Sequence, residues 1–265
     1  MKEDTLMCID EKRNHLVNFL RSAATLLFGF LIFMFGAAPM AKSESYDVSE
    51  IENHLREIYK YHGDALFRWQ RPIYYIVAGL ESEATKQLVD DQFAYLSELT
   101  GLDIQEADPA EANGNFLLVF ASPMAQIAEV KSLRAIFGEA GESDAEYRER
   151  LEDLDKYGRQ SRTIKRTSES IAFFAVLTDP TSWKEELVGA HFLRLIVQGL
   201  TQTSASDRIR PSVLNAVNTL QPSTRLPSFD EAYLKALYGE RAKSDRTMEE
   251  SLRELALATA LELNN

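Results

Sequence analysis

The chain has 265 residues, with 41 Asp and Glu against 29 Lys and Arg, a formal net charge of −12, and 45% hydrophobic residues. That apolar share can bury a core of domain size, and the acidic field repels phosphate backbones; nucleic-acid binding would need a basic patch that the sequence does not display. The one cysteine, Cys8, precedes the first hydrophobic segment, so the chain beyond that segment has no thiol nucleophile, thiolate metal ligand or disulfide.

The run from Ser22 to Ala41 is uncharged and almost continuously apolar between Ala23 and Phe35. Lys12, Arg13 and Arg21 precede it, and the small residues Gly36, Ala37, Ala38, Ala41 and Ser43 follow. Basic flank, apolar stretch and small residues form the order of a secretory signal, with cleavage after Ser43. A run of this length also just crosses a hydrocarbon core of ~30 Å, so an uncleaved anchor is the alternative. The expected organisation is a signal peptide or membrane anchor over 1–43, an N-terminal helix over 44–65 and one domain over 66–265. The domain is then periplasmic or secreted, or anchored outside the cytoplasm, and meets a membrane only through its N-terminal segment.

Along the rest of the chain, Ser or Thr followed three residues later by Glu marks helix starts: Ser49 with Glu52, Ser143 with Glu146, Ser182 with Glu185, Ser228 with Glu231, and Thr247 with Glu250. The first helix, Ser49 to Tyr61, carries Ile51, Leu55 and Ile58 on one stripe and is a candidate docking element. Pro72 to Ala78, Asn115 to Ala121 and Ser170 to Leu177 read as buried strands. Helices are predicted over Glu83 to Leu99, Met124 to Phe137, Asp144 to Tyr157 and Lys184 to Leu200, and two more come after a polar loop from Thr201 to Pro227. The expected fold is α+β, with an α/β layer: a small mixed sheet with packed helices, a central apolar helix and a helical C-terminal lobe. Trp69 and Trp183 stand beside predicted strand and helix starts and read as packing residues.

No phosphate-cradling glycine loop, GxSxG elbow or HExxH pair occurs, so no cofactor is implied. Beyond the first segment the only imidazoles are His54, His62 and His191. On the central helix His191, Arg194 and Gln198 fall three and four apart, on one face of an otherwise apolar cylinder. Such a stripe either lines a polar cleft or is paired internally. An always-charged guanidinium at this spacing repels a divalent cation, and no Asp or Glu lies between Leu187 and Leu200 to act as a base.

The segment Ser206-Asp207-Arg208-Ile209-Arg210-Pro211-Ser212 with Asn215 resembles an exported bacterial family, domain of unknown function 2927. Trp69 with Pro72 and Ile73, Thr100-Gly101-Leu102-Asp103-Ile104, Asn115 to Phe120, and Tyr233-Leu234-Lys235-Ala236-Leu237-Tyr238 are similar to its landmarks, in order, over residues 66 to 255. The resemblance implies an acidic pair on the helix where this chain has Arg194 and Leu195, and cysteines that are missing here. The order of elements is similar to a degenerate zinc-peptidase (zincin-like) layout, an analogy that carries no activity.

Asp207, Arg208 and Arg210 read either as a fork for a carboxylate or phosphate, or as a loop clamp stiffened by Pro211. The sequence supports a non-enzymatic binding domain whose cleft holds His191, Arg194, Gln198, Asp207, Arg208, Arg210 and Asn215. It would take an envelope protein or a small anionic ligand, with no catalytic residue and no metal ligand assigned. The alternative is a hydrolase with His191 as base and an acidic or serine partner brought from elsewhere.

Overall fold

The structure, a computed structural model, describes residues 46–60, 66–108, 113–167, 170–215, 220–240 and 247–264. The expected signal or anchor segment lies outside the described residues, as do Tyr61 and His62. Among the described residues no helix is long and apolar enough to cross a membrane.

The expected α+β layer is present. Strands β1 (Ile73–Ala78), β2 (Ile104–Glu106), β3 (Phe116–Phe120), β4 (Ser161–Arg166) and β5 (Ile171–Thr178) form one sheet in the order β2-β1-β3-β5-β4. All neighbours are parallel except β4, which runs antiparallel to β5. Parallel neighbours need crossovers, and helix α2 (Glu83–Thr100) supplies the one from β1 to β2. The chain then returns past β1 to lay down β3 on its other side, so its direction of travel across the sheet reverses between β1 and β3.

The apolar runs read as strands are buried on both faces. Phe116, Leu118, Phe120, Phe174 and Val176 face one layer of core, and Leu117, Val119, Ala175 and Leu177 face the other. Helix α5 (Val188–Thr201) lies on the first layer. A Cβ at Gly199 would sit 2.3 Å from the Phe116 ring and 2.7 Å from that of Phe174, so only glycine allows this approach. The last turn of α5 leaves carbonyls without helical partners; Trp69 Nε1 donates to Gly199 O at 3.0 Å and Tyr238 Oη to Leu200 O at 2.7 Å. The packing role expected of Trp69 is thereby met. Met124 and Tyr147, with helices α3 (Lys131–Phe137) and α4 (Asp144–Lys156), cover the second layer.

The expected helix from Met124 to Phe137 is in fact a short 3-10 turn, Met124–Ile127, and the separate α3. The Asp155 carboxylate accepts from Met124 N at 2.9 Å and fixes that turn against α4. Of the five capping boxes, Ser143 with Glu146 and Thr247 with Glu250 form fully. The other three do not. Asp47 takes the cap of α1 (Val48–Ile58), Ser182 lies in a turn ahead of a 3-10 segment, and Ser228 is already inside α6 (Ser228–Tyr238), where Glu231 accepts from Tyr95 Oη.

Helices α1, α6 and α7 (Met248–Leu263) make the helical lobe. Ile51, Leu55 and Ile58 of α1 are fully buried in the common core, so the stripe proposed for docking is consumed by the chain's own packing. His54 is buried with them, edge-on to Phe229 at 5.2 Å, and neither ring nitrogen has a hydrogen-bond partner among the described residues.

Burial pushes His54 from the usual 6.5 down to about 4, against the pull of Glu57. The depressed value means that ionisation of this ring costs no stability above pH 6.5, and that the cost grows as pH falls from 6.5 through 4. His54→Leu is therefore expected to stabilise the protein in urea melts, by about 1 kcal/mol at pH 8 from relief of the unpaired nitrogens. At pH 5 the gain rises by roughly 2 kcal/mol more, because unfolded wild type then takes up a proton that the folded state refuses. An equal gain at both pH values would contradict the neutral, partnerless imidazole.

Candidate functional site

Helix α5 presents its polar stripe as expected. His191, Arg194 and Gln198 are all buried, at 5%, 9% and 1% exposure. The helix is long and apolar enough to be enclosed by sheet and lobe, so its few polar side chains must meet something other than water.

His191 stacks on Trp183, with centroids 4.5 Å apart and an interplanar angle of 8°. Burial, with the Arg194 charge nearby, pushes it down to about 4, so it is neutral at physiological pH. Among the described residues no carboxylate pairs with it. Of the acidic or serine partner that the hydrolase alternative calls for, the described residues supply no carboxylate paired with the imidazole.

Arg194 donates to the backbone carbonyl of Asn215. Burial and then the charge of Arg162 press it down to about 10, and Asp207 partly offsets them. Arg162 comes from β4. Its register opposite Val176 turns it to the face on which α5 packs, the same face as Ile164 opposite Phe174. Neither guanidinium has a carboxylate within ion-pair distance among the described residues, although the chain is strongly acidic. One turn on, both amide atoms of Gln198 are buried without a hydrogen-bond partner among the described residues.

The loop after α5 resolves into a clasp. Asn215 Nδ2 donates to Ser206 O and Ile209 O, each at 2.8 Å, while its Oδ1 accepts from Ser212 N at 3.0 Å. Ser212 Oγ and Val213 N both donate, at 2.7 Å, to the carboxylate of Asp230, a fully buried residue in the first turn of α6. Burial pushes Asp230 up to about 7 in spite of those two donors. Arg194 ties the same loop to α5, so one knot joins helix, loop and lobe.

The remaining loop residues point elsewhere. Arg208 pairs with Glu57 of α1. Arg210 reaches Asp207 at 3.7 Å, and its carbonyl accepts from Tyr46 Oη at 3.1 Å. The structure therefore brings together His191, Arg194, Gln198 and, through its backbone, Asn215, whereas Arg208 and Arg210 serve in ion pairs at the surface. Sequence reasoning missed Arg162 and Asp230. Arg162 sits in a strand too polar to be recognised, and Asp230 has the appearance of an ordinary acidic residue at a helix start. The Ser-x-x-Asn spacing of 212 and 215 was the available signal for the clasp.

No curated protein and no solved structure matches this chain. The model of the family described as "Protein of unknown function (DUF2927)" matches residues 49–255, a span that includes the sheet, α5, the clasp and most of the helical lobe. The chain belongs to that family.

Proposed function

We propose that this protein is an exported, non-catalytic binding domain of the cell envelope, which takes a small anionic group between α5 and β4. The observation that carries the reading is the guanidinium pair Arg194 and Arg162, with no carboxylate within ion-pair distance among the described residues, beside the unpaired amide of Gln198. Two like charges and an unpaired amide in a partly desolvated setting cost free energy unless a ligand compensates them. A planar fork that donates several hydrogen bonds fits a carboxylate or phosphate.

The non-catalytic reading rests on donor chemistry. The α5 stripe offers one imidazole, one guanidinium and one carboxamide, a set in which the guanidinium repels a divalent cation and no carboxylate is present to act as a base. A mixed sheet with an antiparallel edge strand, followed by an enclosed helix and a helical lobe, is similar to a metallopeptidase layout that has lost its chemistry. The apolar run before the domain, Ser22 to Ala41, supports export or anchoring.

Calorimetric titration of the full chain with acetate, succinate and inorganic phosphate tests the reading. At least one is expected to bind saturably, with affinity that falls with ionic strength. Arg162→Gln is expected to weaken that binding about tenfold or more, as loss of a charge-assisted hydrogen bond requires. Arg162 is exposed on the edge strand and outside the clasp, so the melting temperature of this variant is expected to stay near wild type. Absence of saturable binding, or affinity indifferent to Arg162→Gln, would sink the proposal.

A further inference from the structure

We propose that the cavity at the carboxyl ends of β1, β3 and β5 is a second binding site, and that its ligand is a neutral, hydroxyl-rich ring, a pyranose unit of a glycan. The cavity has a volume of about 650 Å³ and opens where the direction of strand addition reverses, between β1 and β3. In open sheets of this kind the diverging connections leave a crevice outside the strand ends, and ligands bind there.

One wall is aromatic. Phe120, Trp183 and Phe192 line the cavity and lock one another edge to face, with centroids 5.4 to 6.0 Å apart. Trp183 is half-buried, with His191 stacked on its indole, and is one of the residues that line the cavity. A rigid aromatic surface of this size takes the apolar face of a ring at small entropic cost.

The rim is polar and accepts hydrogen bonds. Asp179, behind it, accepts from Ser122 Oγ at 3.1 Å and from Thr181 Oγ1 at 2.7 Å. With their protons committed to that carboxylate, both hydroxyls offer lone pairs outward. Glu81 adds a carboxylate to the lining, and no lining residue is basic. Ser82, Thr85 and Gln126 add side chains that both donate and accept. A lining with a carboxylate and no cation disfavours carboxylates and phosphates and suits a neutral ligand whose hydroxyls also donate and accept. An apolar face with a hydroxylated edge is the chemistry of a pyranose. This site is independent of the guanidinium pair between α5 and β4.

Titration of the full chain with maltooligosaccharides and N-acetylglucosamine oligomers, both neutral, tests the proposal by calorimetry and tryptophan fluorescence. Trp69 is 2% exposed and hydrogen-bonded within the core, so a change in emission reports Trp183. Saturable binding with a shift in emission is expected for at least one series. Thr181→Val, which keeps the shape and removes an acceptor, and Trp183→Leu are each expected to weaken it about tenfold or more, and Arg162→Gln to leave it unchanged. Should Trp183→Leu fail to fold, Thr181→Val still decides. No saturable binding of either series, preference for anionic over neutral ligands, or binding untouched by Thr181→Val would overturn the assignment.

Discussion

Gly79→Ala is expected to lower the unfolding free energy by about 3 to 5 kcal/mol, from left-handed strain and a backbone collision together. Gly79 follows β1 with φ +84°, a conformation that L side chains rarely adopt, and an added Cβ would lie 1.8 Å from the carbonyl oxygen of Phe120 at the end of β3. The colliding atom is backbone, so no rotamer change relieves it; β1 and β3 must part where the sheet's construction reverses. Gly101→Ala is the control. Gly101 ends α2 with φ +70° and has open space around the position of a Cβ, so that substitution meets the conformational cost alone, about 1 kcal/mol. Urea melts of the two variants separate strain from collision, and equal losses would show that Gly79 is not pressed against β3. Because Gly79 and Phe120 both line the strand-end cavity, Gly79→Ala is also expected to damage any binding there.

The other large effect concerns the clasp. Asp230→Ala is expected to destabilise the protein by about 3 kcal/mol or more at pH 5, since Ser212 Oγ and Val213 N would lose their acceptor inside the core. The dependence on pH has a definite sign. The carboxyl is raised from 3.8 to about 7 by burial, so the stability that it contributes is fully present below pH 3.8 and is lost as pH rises through 7. The gap between wild type and Asp230→Ala is thus expected to narrow from pH 5 to pH 8 in denaturant melts. His54 and His191 titrate alike in both proteins and cancel from the difference. A gap that stayed constant from pH 5 to pH 8 would mean that the carboxylate is comfortably ionised in the fold.

The elements that the sequence revealed are those in which burial dictates composition. Phe116 to Phe120 and Ile171 to Thr178 sit between two layers of core and must be apolar throughout, so they stood out as runs. β4, with the sequence Ser-Arg-Thr-Ile-Lys-Arg, has one neighbour and contributes little to either layer; nothing in its composition demanded a strand. β2 is three residues long and held mainly by pairing to β1. The capping boxes show the same limit from the other side, because a Ser-x-x-Glu spacing forms a cap only where no better acceptor precedes it, as Asp47 precedes Ser49.

For the site, the helical spacing of His191, Arg194 and Gln198 was legible because period alone places them on one face. The group opposite that face was not, because Arg162 reaches it through strand register across a distance in sequence that no periodicity spans. The loop motif of residues 206–215 was legible as a motif, but its partner Asp230 was not. A buried carboxylate and a solvated one at a helix start are the same letter, and only the fold distinguishes them.

The sheet's two outer strands end it in different ways. β2 offers three residues of backbone, too little for another chain to pair with productively. β4 is longer, but Arg162, Lys165 and Arg166 line it, so a second copy laid alongside would bring cation against cation. An acidic protein that concentrates positive charge on its longer rim is thereby guarded against growing into a fibre through that rim. Replacing those cations to improve a surface would remove a safeguard against self-association.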